Sequence, residues 1–91
     1  MPARDWLEGI EIDRKVYGIL MNRLDRVAAG NFGDCRPVGE GVSELRIDFG
    51  PGYRIYYALD GELIILLFGG TKKTQASDIT KAKHFWSDYN A

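Results

Sequence analysis

From Val16 to Ala28 the apolar residues Val16, Ile19, Leu20, Leu24, Val27 and Ala28 recur at three- and four-residue intervals. That spacing lines one face of an α-helix. Asp13 supplies an N-cap side chain and Gly30 a stop, so a helix is predicted over residues 14–29. Upstream, Trp6 and Leu7 anchor a short helix over Arg4 to Glu8 that Gly9 breaks, and the two segments form a helical hairpin. From Gly30 to Gly41 the glycines and Pro37 oppose regular structure and predict a loop, of a length that in a small domain often serves function or partner contact.

Beyond this loop the period changes to two. Leu45, Ile47 and Phe49 alternate with Glu44, Arg46 and Asp48, as in a half-buried antiparallel strand. Gly50-Pro51-Gly52 turns the chain, Tyr53 to Leu59 is a second strand, and Asp60-Gly61 marks a two-residue hairpin. Glu62 to Phe68 is an almost unbroken apolar run suited to a central strand buried on both faces. Gly69-Gly70 ends the sheet, and Gln75 to Asp88, with Ile79, Ala82, Phe85 and Trp86 along one side, reads as a closing helix. The order is ααβββα: an α+β fold in which a helical hairpin and a C-terminal helix lie on one face of a three-stranded antiparallel meander. Val16, Leu20, Leu24, Val27, Ile79 and Trp86 are expected to pack together against its apolar side.

A chain of 91 residues is one domain, residues 1–91, because so small a core cannot be divided between two stable units. With 45% hydrophobic residues it lies far from the compositions that stay disordered. Cys35 is the only cysteine, which rules out an internal disulfide or a multi-cysteine zinc site and fits an intracellular location. His84 is the only histidine; a Cys–His catalytic pair would need it beside Cys35, and a half-buried, inert thiol is the plainer reading. Leu63 to Phe68 is too short to span a bilayer and Met1 to Trp6 lacks a signal-peptide layout, so no membrane contact and a cytoplasmic site are expected.

The formal net charge of −1 argues against holding nucleic acid by bulk electrostatics. Charge is uneven, however. Lys72, Lys73, Lys81 and Lys83 against Asp78 leave residues 69–86 with a positive surplus on an otherwise acidic chain. Any contact with RNA is therefore local, and Lys81 and Lys83 also fit the solvated side of a helix.

Four motifs run in order through some two thirds of the chain: Gly30-Asn31-Phe32-Gly33-Asp34; Pro37 to Ile47, reading PVGEGVSELRI; Gly50 to Tyr57, reading GPGYRIYY; and Leu67 to Gln75, reading LFGGTKKTQ, followed by Asp78, Ile79, Lys81 and Ala82. In these the chain resembles the toxins of the RelE/ParE superfamily, most closely the HigB-like addiction-module killer proteins. The resemblance implies a toxin of a type II toxin–antitoxin module. Such a protein is a metal-independent endoribonuclease, without cofactor, that enters the ribosome and cuts bound mRNA. It implies an antitoxin partner, a helix-turn-helix protein from the adjacent gene. Arg54 matches the family's phosphate-binding arginine, with Arg46 and Lys72 as further catalytic cations and Lys73 and Lys81 as RNA-binding positions. Arg54 is expected at a strand end, pointing to solvent.

Three features depart from the family pattern. Asp78 stands where RelE-type enzymes carry a tyrosine, and Asp48 where HigB-like sequences often have histidine. The strand that ordinarily precedes the helical hairpin has no counterpart ahead of Trp6, so the expectation is either that the chain starts inside the family domain or that an antitoxin or a second copy, as a homodimer, covers the sheet edge. Two other functions compete with the nuclease: a ParE-like gyrase inhibitor, which needs no cations converging on a phosphate, and a catalytically silent module that only binds its antitoxin, which the acidic departures favour.

Overall fold

The structure, a computed structural model, describes residues 14–30, 33, 35–48 and 50–91, with the side chains of residues 14–17 excepted. The expected short helix at Arg4 to Glu8 and the question of a strand before it lie outside these residues. The first described element is helix α1, Arg14–Ala28, which ends at Gly30 in the left-handed conformation, as its apolar spacing predicts. The strands β1, Cys35–Gly39, β2, Val42–Ile47, β3, Tyr53–Asp60, and β4, Leu63–Thr71, follow. A 3₁₀ turn over Lys72–Thr74 leads into helix α2, Gln75–Asn90.

Among the described residues the sheet has four strands, not three, in the antiparallel order β1-β2-β3-β4. The additional strand comes from the segment expected to be a loop. Glu40 and Gly41 both take positive φ, 56° and 82°, making the two-residue connection whose twist suits a hairpin, and β1 folds back on β2 through it. Gly41 is tightly bounded there: a Cβ on it would stand 2.9 Å from the Trp86 indole nitrogen of α2. The other expected hairpin forms one residue later than read, with Asp60 paired to Leu63 and Gly61-Glu62 as the loop.

The helices lie on opposite faces of the sheet, which corrects the expectation of one helical layer. One core cluster joins Leu20 and Val27 of α1 to Leu45, Ile47, Ile55 and Tyr57. The second joins Ala82, Ile79, Phe85 and Trp86 of α2 to Val42, Tyr56, Ala58 and Leu67. Adjacent strand residues point to opposite faces, so the alternate sets of β2 and β3 each meet a different helix. This layering explains the apolar run of β4. Both of its sides face a helix, although among the described residues it is the outer strand rather than a central one, with Leu63 at its start 62% exposed. An extra residue in β4 between the partners of Tyr56 and Tyr57 turns both Leu67 and Phe68 toward α2.

Of the residues expected to share one core, Leu20 is fully buried, Val27 nearly so and Leu24 half-buried, while Ile79 and Trp86 belong to the other layer. Leu20→Ala is expected to cost about 2–5 kcal/mol through lost burial and the cavity left behind. Leu24→Ala should cost visibly less, and denaturant titration of the two variants checks the ranking.

Candidate functional site

The side of β2 and β3 that carries Glu44, Arg46, Arg54 and Tyr56 is the side covered by α2. Arg46 stands directly opposite Arg54 in the β2–β3 register, and Glu44 stands opposite Arg36 on β1 and Tyr56 on β3. Two arginines facing each other repel. The buried carboxylate of Glu44 resolves this, because its Oε1 accepts from Arg46 Nε at 2.9 Å, from Arg54 Nη1 at 3.3 Å and from Arg36 Nε at 3.3 Å. Its Oε2 accepts from Gln75 Nε2, in the first turn of α2, at 2.8 Å. Burial pushes the Glu44 pKa up, but the hydrogen bonds from Arg46 and Gln75 and the charge of Arg54 outweigh it and hold the group below its ordinary value of 4.5. Glu44 is thus an ionised hub, and burial together with the Glu44 charge raises the pKa of the neighbouring Tyr56 phenol, which stays neutral.

Beside this hub opens a cleft of about 290 Å³ lined by Arg46, Ile47, Asp48, Gly52, Arg54 and Lys72. The turn after β2 positions its cations. The Lys72 amide donates to the Gly52 carbonyl at 2.7 Å, and this seats Lys72, just past the end of β4, against the turn that leads into Arg54. The structure therefore brings Arg46, Arg54 and Lys72 together. Lys73 is exposed but is not among the lining residues, and Lys81 sits farther along α2 with its Nζ 5.3 Å from the centre of the Phe68 ring.

Arg54 differs from expectation in its exposure: its side chain is only 9% accessible, at the floor of the cleft rather than in solvent. The cause is α2, which closes over the side of the sheet that polar alternation marked as outward. Asp48 is exposed at the cleft rim. Asp78 is not part of the lining. It is buried in the first turn of α2, where Thr74 Oγ1 donates to it and a carboxylate is favoured by the helix dipole. It fills the space beside Gly70, the residue paired with Arg54; a methyl group there would overlap the Asp78 carboxylate, which explains the glycine. Cys35 packs with the α1 layer and His84 is an exposed residue of α2 that meets Asp88, so the two form no pair.

Glu44, Gln75 and Arg36 were not singled out as site residues in the sequence. Glu44 and Arg46, two apart on one strand, were the available sign of a shared face; Arg36 was hidden by reading its segment as a loop. A larger cavity of about 590 Å³ between β4 and the end of α2 is lined mainly by apolar residues such as Ile65, Leu67 and Phe85 and presents no cation to a phosphate.

Fold and site together define a small α+β protein organised around an arginine cluster on its sheet. Residues 5–85 match the model of the phage-derived Gp49-like proteins (DUF891), and the chain belongs to that family, which is RelE-like and toxin-like in character. It is also similar to an uncharacterized protein of Haemophilus influenzae, 53% identical over 62 residues. That alignment covers 67% of this chain and 63% of the relative. No solved structure matches the chain. Among the described residues no helix is long and apolar enough to cross a membrane.

Proposed function

We propose that the chain is the toxin of a type II toxin–antitoxin module and acts as a ribosome-dependent mRNA endonuclease in the cytoplasm. The observation that carries this reading is the convergence of Arg46, Arg54 and Lys72 on one cleft with a carboxylate, Asp48, at its rim. RNA cleavage of this kind has a 2′-hydroxyl attack the adjacent phosphorus while the bond to the 5′-oxygen breaks, leaving a 2′,3′-cyclic phosphate and a 5′-hydroxyl. Asp48 accepts the proton of the attacking hydroxyl, and the Lys72 ammonium gives one to the departing oxygen. Arg46 and Arg54 hold the phosphate oxygens as charge builds in the pentacoordinate state, which is where fixed cations contribute most. Asp48 alone would repel the phosphate; three cations around it reverse the balance.

The same cleft suits neutralisation by acidic residues of an antitoxin from the adjacent gene. One observation favours a second reading, a silent antitoxin-binding module: Arg54 is almost wholly buried and already paired with Glu44. Inducing the chain alone in bacteria separates the readings. The nuclease predicts growth arrest with new 5′ ends in mRNA and normal DNA gyrase activity; the silent module predicts neither arrest nor cleavage; impaired gyrase with intact mRNA would indicate a ParE-like poison.

A further inference from the structure

Arg36 lies outside the cleft yet shares an oxygen with two residues inside it. Arg36 Nε, Arg46 Nε and Arg54 Nη1 all lie within 3.3 Å of Glu44 Oε1, so one negative charge faces three positive ones. Adjacent strands lie about 4.8 Å apart, and the arginines stand on β1, β2 and β3 in turn. Arg46 stands opposite Arg54 and Arg36 opposite Glu44, so the three follow a bent line across the sheet that rises from floor to rim: the Arg54 side chain is 9% exposed, Arg46 40% and Arg36 54%.

Geometry at the nitrogens shows what the row lacks. Glu44 takes only the Nε of Arg36 and of Arg46, leaving the forked Nη ends of both, the part of arginine that matches two phosphate oxygens. At the floor, the Nε of Arg54 is buried without a hydrogen-bond partner. Buried donors are rarely left so. A cluster with surplus cations, spare forks and an unsatisfied buried donor is a site built for anions, and the Arg36 fork, exposed and outside the cleft lining, is free to meet a phosphate other than the one in the cleft.

We propose that Arg36 binds a second phosphate, so that a single RNA strand crosses the sheet from Lys72 and Arg54 over Arg46 to Arg36, with Glu44 as the positioning residue that holds the three guanidinium groups in line. The proposal rests on the nuclease reading for the identity of the polyanion. It adds a direction for the strand and a residue for the phosphate next to the one that reacts.

The test is binding of 2′-O-methyl oligoribonucleotides, which lack the attacking hydroxyl, to the whole chain by fluorescence anisotropy over a range of salt concentrations. Arg36→Ala is expected to weaken a hexanucleotide about tenfold. It should also flatten the plot of log affinity against log salt by about 0.7, the share of one phosphate on a single strand. A dinucleotide, with its single phosphodiester, should bind parent and variant alike. Arg36→Lys should keep the salt slope and lose part of the affinity. Equal binding of the hexanucleotide by parent and Arg36→Ala overturns the proposal. So does an equal loss for both lengths, which would mean Arg36 acts on the first phosphate through Glu44, and so does a parent that binds neither oligonucleotide. A parent that shows the expected length dependence but leaves ribosome-bound mRNA intact refutes the nuclease reading while the two-phosphate site stands.

Discussion

Glu44→Ala is expected to bring the domain close to unfolding. The substitution removes the one anion that three guanidinium groups share and leaves Arg54, with a side chain 9% exposed, charged, buried and directly opposite Arg46. Stripping one partner from a buried ion pair typically costs about 3–5 kcal/mol, because the remaining charge has neither water nor counter-ion. A small domain has about 5–15 kcal/mol in all, so urea unfolding should show a much lower midpoint. Glu44→Gln keeps the shape and should be hurt less. The pH dependence separates charge from shape. Because folding lowers the Glu44 pKa, its ionised form adds stability above the ordinary 4.5, and that contribution disappears as the pH falls through the lower folded value. The parent should therefore lose stability below about pH 4.5, and Glu44→Gln should lack that component of the loss. A Glu44→Ala midpoint equal to the parent's would show that the hub carries no structural weight.

Arg54→Ala is expected to lower mRNA cleavage by about two to three orders of magnitude, the effect of removing a fixed group worth about 3–4 kcal/mol in the transition state. Burial complicates this substitution. Alanine also removes one of the partners of Glu44, which retains Arg36, Arg46 and Gln75, so some stability is lost as well. Cleavage must be compared at a temperature where circular dichroism shows both proteins folded. Arg54→Lys restores charge at the cleft floor without the planar fork. It should recover most of the stability and only part of the cleavage. If a folded Arg54→Ala cleaves as the parent does, Arg54 belongs to the Glu44 hub alone and takes no part in the reaction.

Periodicity carried much of the fold because the relevant patterns are local. The apolar stripe from Ile19 to Val27, the alternation of β2 and the turn at Gly50-Pro51-Gly52 each specify their own element. What it did not carry is which layer covers which face. Glu44, Arg46 and Arg54 alternate with apolar residues as a solvated strand would, and only the placement of α2 over that side makes them buried. The strand β1 escaped because Cys35-Arg36-Pro37-Val38-Gly39 has neither alternation nor a common hairpin dipeptide; Glu40 in the left-handed region is an uncommon solution that the chain accepts to make the turn. The cleft cations Arg46, Arg54 and Lys72 were legible through family motifs, whereas Glu44 acquires its meaning from Arg46 on its own strand together with Arg36, Arg54 and Gln75 on three other elements, and no spacing along the chain expresses those three contacts.

In the proposed reaction Arg46, Arg54 and Lys72 form a phosphate-handling site that cuts mRNA. Its most direct test is incubation of the purified chain with ribosomes programmed with a defined, end-labelled mRNA. The parallel reaction uses the double variant Arg46→Ala/Lys72→Ala, which leaves Arg54 and Arg36 on Glu44. The parent is expected to cleave at discrete positions, leaving cyclic phosphate and 5′-hydroxyl ends, and the variant to lose that cleavage. Intact mRNA with the parent, or equal cleavage by both proteins, would contradict it.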